Sequence, residues 1–227
     1  MAPMEIHALQ LGMIGTNCYV AHAAGSQRAV VVDPGDQANL VLELLERAGL
    51  EADAVLVTHC HWDHIGAVAP VAAATGADVY MSDTEAFVLE EEPNRFVPAG
   101  VGPFDACHVD VRLRGDERIE VAGLELQVLA LPGHSPGSLG FLADGIRDST
   151  GDGWDTPPVL FVGDLIFQGS VGRTDLPGAS HDELLASCRM LFERLDDATV
   201  LLSGHGAATT IGAEKASNPF LRGLVTV

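Results

Sequence analysis

Positive charge is scarce in this 227-residue chain: 12 Lys and Arg stand against 32 Asp and Glu, a net charge of −20. Nucleic acid demands a basic face and anionic membranes attract basic segments, so neither is an expected partner. Cysteine is scarce too. Cys18, Cys60, Cys107 and Cys188 are far apart and form no C-x-x-C pair, which argues for free thiols over a disulfide framework or a four-cysteine zinc site. No apolar run approaches the ~18 residues of a membrane span. The start, Met1-Ala2-Pro3-Met4-Glu5, has neither the basic nor the apolar part of a signal peptide, so a cytoplasmic location is expected. No internal repeat of about 20–50 residues is visible. Apolar residues, by contrast, make up 47% of the chain, enough for a sizeable core.

The most concentrated chemistry is Thr58-His59-Cys60-His61-Trp62-Asp63-His64. It holds three imidazoles and a carboxylate, the ligand types of zinc, manganese and iron. The apolar run 54–58 before it reads as a buried strand. The cluster then sits in the loop at that strand's C-terminal end, where open α/β sheets place their sites. Packing four titratable groups together without metal or partners would be costly. Cys60 lies between two of the histidines, but alternate side chains of an extended segment diverge, so it is expected to point away and stay inert.

Patterning places strands at 4–10, 18–22 and 29–33, with Gly-rich turns between them. An Asp-Pro-Gly turn at 33–35 leads into an amphipathic helix from Gly35 or Asp36, stopped by Gly49. After His64 one short turn is expected, then a helix from about Pro70 to Thr75, because proline is comfortable only in a first turn. A short strand at 78–81 follows. Ser82 and Glu85 have the spacing of a capping box. Residues 92–117 read as a long loop of the kind that covers sites. Two strands flank Ala122-Gly123 within 118–131, and 138–143 and 159–162 are strands separated by a polar, exposed insertion at 144–158. That insertion lacks the EF-hand pattern. A second capping box, Ser180 with Glu183, opens a helix to about Leu195, and 199–203 is a strand. The elements fall into two loosely similar halves, about 1–115 and 116–227, of one 1–227 domain. Sheets with helices outside both halves make the expected α/β fold a four-layer αββα sandwich.

A catalytic metal needs further donors and keeps one place for water. Three later positions share one context, the end of an apolar strand followed by glycine: His134 in Leu131-Pro-Gly-His-Ser-Pro-Gly-Ser138, Asp164 in Leu160-Phe-Val-Gly-Asp164, and His205 in Leu201-Leu-Ser-Gly-His-Gly206. Glycine there permits close approaches that other residues cannot make.

In this order the four motifs resemble those of the metallo-β-lactamase fold hydrolases, from about Asp33 to His205. The run from Asp164 to Asp175 and the tail from Gly206 to Leu221 are similar to the short glyoxalase II-like (hydroxyacylglutathione hydrolase-like) branch. The resemblance implies a metallo-β-lactamase-type sandwich. It also implies one metal held by His59, His61 and His134, a second by Asp63, His64 and His205, and Asp164 bridging them. Two divalent ions are implied, zinc foremost, with iron and manganese suited to the same ligands. Two dications sharing a carboxylate lower the pKa of a bridging water, so a hydroxide is available near neutral pH to attack a polarised carbonyl. Asp63 and Asp164 are thus the catalytic carboxylates. A thiolate can then leave unprotonated. The implied function is a metal-dependent hydrolase cleaving a thioester, such as a hydroxyacyl-glutathione, with a small-molecule partner and homo-oligomerisation left open. An acid at 164, where β-lactamases with a Cys ligand differ, favours such a hydrolase over an antibiotic-degrading enzyme. The alternatives are a mononuclear-iron persulfide dioxygenase using His59, His134 and Asp164, and a lactonase or other ester hydrolase.

One departure stands out. After His205 only Lys215 and Arg222 are basic and there is no Tyr, so the glutathione contacts of larger glyoxalase II-like members are mostly missing. Arg173 is placed either on a substrate carboxylate or in an ion pair with Asp175. His7, His22, His108 and His181 match no motif. Asp33 is open between simple turn chemistry and support of the metal ligands.

Overall fold

A computed structural model describes residues 3–147, 149–151 and 153–224. Its first half builds one six-stranded sheet. The strands are β1 (Met4–Leu11), β2 (Thr16–Ala23), β3 (Arg28–Val32), β4 (Glu51–Leu56), β5 (Asp78–Ser82) and β6 (Val111–Leu113), in that spatial order. The first three are antiparallel; β3 to β6 run parallel. Between them lie α1 (Ala38–Ala48), the single turn α2 (Trp62–Ile65), α3 (Val68–Thr75) and α4 (Ala86–Glu91).

The second half builds the other sheet from β7 (Arg118–Val121), β8 (Leu124–Ala130), β9 (Leu139–Ala143), β12 (Val159–Gly163), β15 (Val200–Ser203) and β16 (Thr209–Thr210), ordered β16-β15-β12-β9-β8-β7. Two small ribbons lie outside it: β10 (Ile146–Arg147) with β11 (Trp154–Thr156), and β13 (Ile166–Phe167) with β14 (Ser170–Val171). The helices of this half are α5 (His181–Arg194) and α6 (Ile211–Ser217).

Three apolar clusters follow from the four layers. One joins the inner faces of the sheets, where Ala21, Val30, Val32 and Leu56 meet Leu126, Val128, Phe141 and Phe161. A second packs Val31, Val55 and Val57 beneath α1 and α3. The third packs Leu131, Leu160 and Leu201 beneath α5. Strands buried on both faces read as continuous apolar runs, which is why 29–33, 54–58 and 159–162 were legible. The fold is the expected α/β sandwich.

Several local expectations shift. Helix α1 begins at Ala38, because Gln37 takes a left-handed conformation. Gly49 caps its other end, as expected. Ser180 caps α5 by accepting from the Glu183 backbone amide, but its own amide donates to Gly133 O, so only half of the second capping box forms. The first does not form: α4 begins after Glu85 without a side-chain cap. The loop expected over 92–117 contains β6, and the 144–158 insertion contains β10 and β11; its positions 148 and 152 lie outside the described residues. Ribbon strands of two or three residues are too short to show a period-2 pattern. Among the described residues no helix is long and apolar enough to cross a membrane.

Phe141 and Phe161 are register partners between β9 and β12 and almost fully buried. Replacing Phe141 with Ala leaves a cavity between the sheets and should cost about 3–5 kcal/mol, read as a lowered midpoint in chemical denaturation. A loss below ~1 kcal/mol would show that this layer is not the packed core.

Candidate metal centre

The loops that follow β3, β4, β8, β12 and β15 all open on one rim, the C-terminal ends of their strands. Backbone hydrogen bonds lock that rim across the two sheets. Thr58 O accepts from Leu139 N at 2.8 Å, and Gly204 O accepts from Asn17 N at 2.7 Å. The Asn17 amide donates to Ser203 O and Gly206 O, and the Tyr19 hydroxyl to Ser203 O.

All seven sequence-designated residues meet there. His61 precedes α2, whose single turn carries Asp63 and His64. Three groups have their donor atoms within 4.8 Å of one another: His59, His61 and His134; Asp63, His64 and His205; and His59, His64 and Asp164. Nδ1 of His61 and Nε2 of His134 are 2.8 Å apart. Asp164 lies between the first two groups. Its Oδ1 is 3.4 Å from His64 Nε2, and its Oδ2 is 3.6 Å from His134 Nε2 and 3.5 Å from His205 Nε2.

Among the described residues, four buried side-chain polar atoms lack a hydrogen-bond partner, and three are here: His59 Nε2, His64 Nε2 and Asp164 Oδ1. Leaving such atoms unpaired costs about 1–3 kcal/mol each. Unpaired polar atoms aimed at common points are what metal ions satisfy, once the ring nitrogens have given up any proton they carry. The donor set therefore fits two cations, with His59, His61 and His134 around one, Asp63, His64 and His205 around the other, and Asp164 reaching both.

The neighbouring ring nitrogens explain why these atoms are the bare ones. His64 Nδ1 is 2.8 Å from Asp33 Oδ2. Asp33 also accepts from the Thr58 amide (2.7 Å) and hydroxyl (2.6 Å). With its proton spent on Asp33, Thr58 Oγ1 accepts from His59 Nδ1 at 3.0 Å. His134 Nδ1 donates to Arg173 O at 2.8 Å. Each contact fixes the tautomer that presents Nε2 to the centre. Asp33 holds this position with a φ of 50°, a region Asp tolerates better than most residues. Close approach matters as well. A Cβ at Gly35 would overlap the Asp63 carbonyl oxygen, and one at Gly204 would overlap the Asp164 carboxylate and the His64 ring.

Glu85, placed by spacing in a capping box, has a different partner set. It is 3% exposed. One carboxylate oxygen accepts from the Cys60 amide at 2.9 Å and the other from the Gly137 amide at 2.8 Å. It thereby ties the His59–His64 loop to the His134 loop. Only the tertiary fold reveals this, since Gly137 is 52 residues away. Cys60 turns into the core beneath the helices, and burial, with Glu85 beside it, pushes its thiol far above the ordinary range. Asp63 is steadied by the Thr16 hydroxyl at 2.8 Å, another partner the sequence did not disclose.

Charge follows the same geometry. Burial, then the surrounding histidines, holds His59 well below its ordinary pKa, and burial with His134 and His64 lowers His61 to about 4. Burial opposes charge on His64 and His205 too, but the carboxylates win. His64 is raised well above its ordinary value by Asp63, Asp164 and Asp33, and His205 to about 9 by its hydrogen bonds to Asp164 and Asp63. Asp63, against its own burial, is lowered to about 2 by His64, His205 and Thr16.

Arg173 grips Asp175 through two bonds of 2.6 and 2.8 Å, so the ion-pair expectation holds. His22 is buried, stacked on His7, and 3.1 Å from Ala23 O; His108 pairs with Glu90. His181 is exposed at the start of α5 and does not line the cavity above the centre.

Comparison with known proteins agrees with this geometry. The family model described as the metallo-beta-lactamase superfamily matches residues 11–145. The chain belongs to that superfamily. Hydroxyacylglutathione hydrolase GloC of Haemophilus influenzae is 34% identical over 220 residues, covering 96% of this chain and 98% of that protein. Among solved structures, BLEG-1, described as a B3 metallo-beta-lactamase, has a TM-score of 0.84 at 36% identity, covering 96% of this chain and all of that one. TTHA1623, solved in a di-iron-bound form, has a TM-score of 0.78 at 36% identity, covering 95% and 100%. The coarse reading of this superfamily member is a metal-dependent hydrolase.

The carboxylate contacts can be broken singly. Glu85→Gln puts an amide donor opposite a backbone donor, and Asp33→Asn does the same opposite Thr58 or His64. Each should weaken metal binding about 10–100-fold with the fold retained, read by chelator competition and circular dichroism; unchanged metal affinity in both would refute their role. In the metal-free protein, raised pKa values leave His64 and His205 protonated near pH 7.5. Metal must displace those protons, so affinity at that group should rise with pH up to about 9. Calorimetry in buffers of different ionisation heat should detect the released protons, and buffer-independent heats would contradict it.

Proposed function

We propose that the protein is a two-metal thioester hydrolase. The observation that carries this reading is the pair of ligand groups sharing Asp164, set in the floor of a cavity of about 690 Å3 that His61, Asp63, His134, Asp164 and His205 help to line. When bound, two such ions acidify a water between them and polarise a carbonyl oxygen. His59, His61 and His134 would hold one ion and Asp63, His64 and His205 the other, and Asp164 fixes the spacing between the two groups. Zinc is the first expectation, and iron and manganese suit the same donors.

The leaving group narrows the class. Among the described residues, the titratable groups lining the cavity are His61, His134, His205, Asp63 and Asp164 of the centre, and Arg173. None is a free general acid poised to protonate a departing amine or alkoxide. A thiol, with a pKa near ~8.5, departs as its thiolate without that help. The likeness to hydroxyacylglutathione hydrolase GloC supports the same class. The partner is a small thioester; a net charge of −20 disfavours nucleic acid and anionic membranes.

The likeness to BLEG-1 keeps β-lactam hydrolysis as the competing reading. A panel separates these: S-lactoylglutathione and a neutral acyl thioester of N-acetylcysteamine, a homoserine lactone, nitrocefin, and a persulfide with oxygen uptake recorded, all with metal content measured on the same sample. Two metals per chain, thioester turnover above the others and no oxygen uptake are expected. Faster lactone or nitrocefin turnover, or one iron with oxygen consumption, would overturn the assignment. His61→Ala should abolish turnover and cut bound metal, and an unchanged rate would remove His61 from the centre.

A further inference from the structure

The cavity above the centre is walled by apolar side chains. Two aromatic rings help to line it. Phe96 meets the His61 ring edge-on with centroids 6.0 Å apart, and Phe167 meets the His205 ring at 5.9 Å. Trp62, Leu176 and the half-exposed Ile14 complete the walls.

Both rings sit on segments held by hydrogen bonds. Phe167 closes the β13–β14 ribbon. That ribbon is anchored from the C-terminal segment, where Glu214 accepts from the Gly169 amide at 3.0 Å and the Asn218 amide donates to Ser170 O at 2.9 Å. Glu214 is 2% exposed and also bonds Asn218 at 2.8 Å. Phe96 sits on a loop closed by Asn94, whose amide bonds both the carbonyl (2.9 Å) and the N–H (2.8 Å) of Phe104. The walls are thus largely pre-formed, which lowers the ordering cost of binding.

Charge gives the second, independent observation. Among the described residues, the one Lys or Arg lining the cavity is Arg173, and Asp175 holds its guanidinium by two hydrogen bonds. Glutathione carries two carboxylates, and among the described residues neither arginine near this mouth is unpaired: Arg95, over the Phe96 ring, pairs with Glu92 as Arg173 does with Asp175, while ions in the floor would be taken up by the scissile carbonyl. We propose that the cavity selects thioesters whose groups flanking the scissile bond are apolar and uncharged, and that Phe96 and Phe167 set this preference. It rests on the thioester-hydrolase reading above, and it separates this enzyme's preferred substrate from a glutathione conjugate.

The test compares S-phenylacetyl-N-acetylcysteamine, an apolar acyl group on a neutral thiol, with S-lactoylglutathione on the metal-loaded enzyme. The neutral thioester should show at least a tenfold higher kcat/KM. Phe96→Ala and Phe167→Ala should each reduce that ratio at least fivefold at unchanged metal content, in the range expected when an apolar wall is removed. Calorimetry with a non-hydrolysable thioether analogue of each compound should show the same order of affinity without turnover. Equal or better turnover of S-lactoylglutathione, or tighter binding of its thioether, would overturn the proposal. If neither thioester is cleaved, the reaction assignment fails, and the calorimetry alone then decides the cavity's preference.

Discussion

One buried carboxylate, Asp33, sets the state of the whole centre. It faces Nδ1 of the His64 ring and takes both donors of Thr58. Thr58 in turn orients the His59 ring. One histidine of each ligand group is thus oriented from the same two oxygens, on a residue 2% exposed to solvent. A buried anion accepting several hydrogen bonds is stable only while all its partners stay in place. The Thr58 amide comes from the end of β4 and His64 from α2, so the carboxylate also fixes how the ligand loop leaves its strand. Glu85 has the corresponding role farther from the centre, joining two ligand loops whose strands belong to different sheets.

The two sheets explain why such joints are needed. The candidate ligands His59, His61, Asp63 and His64 follow a strand of the first sheet, and His134, Asp164 and His205 follow strands of the second. Nothing local holds them in register. Core packing between Phe141, Phe161 and the first sheet sets the distance, and the cross-sheet bonds of Asn17, Tyr19 and Thr58 set the alignment. Ions in the middle would then neutralise the carboxylates of Asp63 and Asp164, a role that protons on His64 and His205 fill in the metal-free state.

Legibility from sequence tracked locality. His59 to His64 stood out because they are nearly consecutive. His134, Asp164 and His205 stood out because each follows an apolar strand and a glycine, a pattern that survives without the fold. The buried strands β3 and β4 and the amphipathic α1 carried strong signals of their own. Glu85 was misread because Ser-x-x-Glu spacing is a local helix-start signal, while the loops it bonds become neighbours only in the fold. Thr16, Asn17 and Tyr19 were silent for the same reason, with partners 47 to 189 residues distant. Asp33 was half legible: its Pro-Gly turn was visible, but not the left-handed conformation that aims it at His64. The ribbon carrying Phe167 was missed because two-residue strands show no alternation.

Anomalous diffraction from crystals of the metal-loaded protein tests the central claim most directly. Two peaks are expected. One should lie among His59 Nε2, His61 Nδ1 and His134 Nε2, the other among Asp63, His64 Nε2 and His205, with Asp164 between them and Asp33 still bonded to Thr58 and His64. A single peak, or metal bound without one of these histidine groups, would contradict the two-site centre.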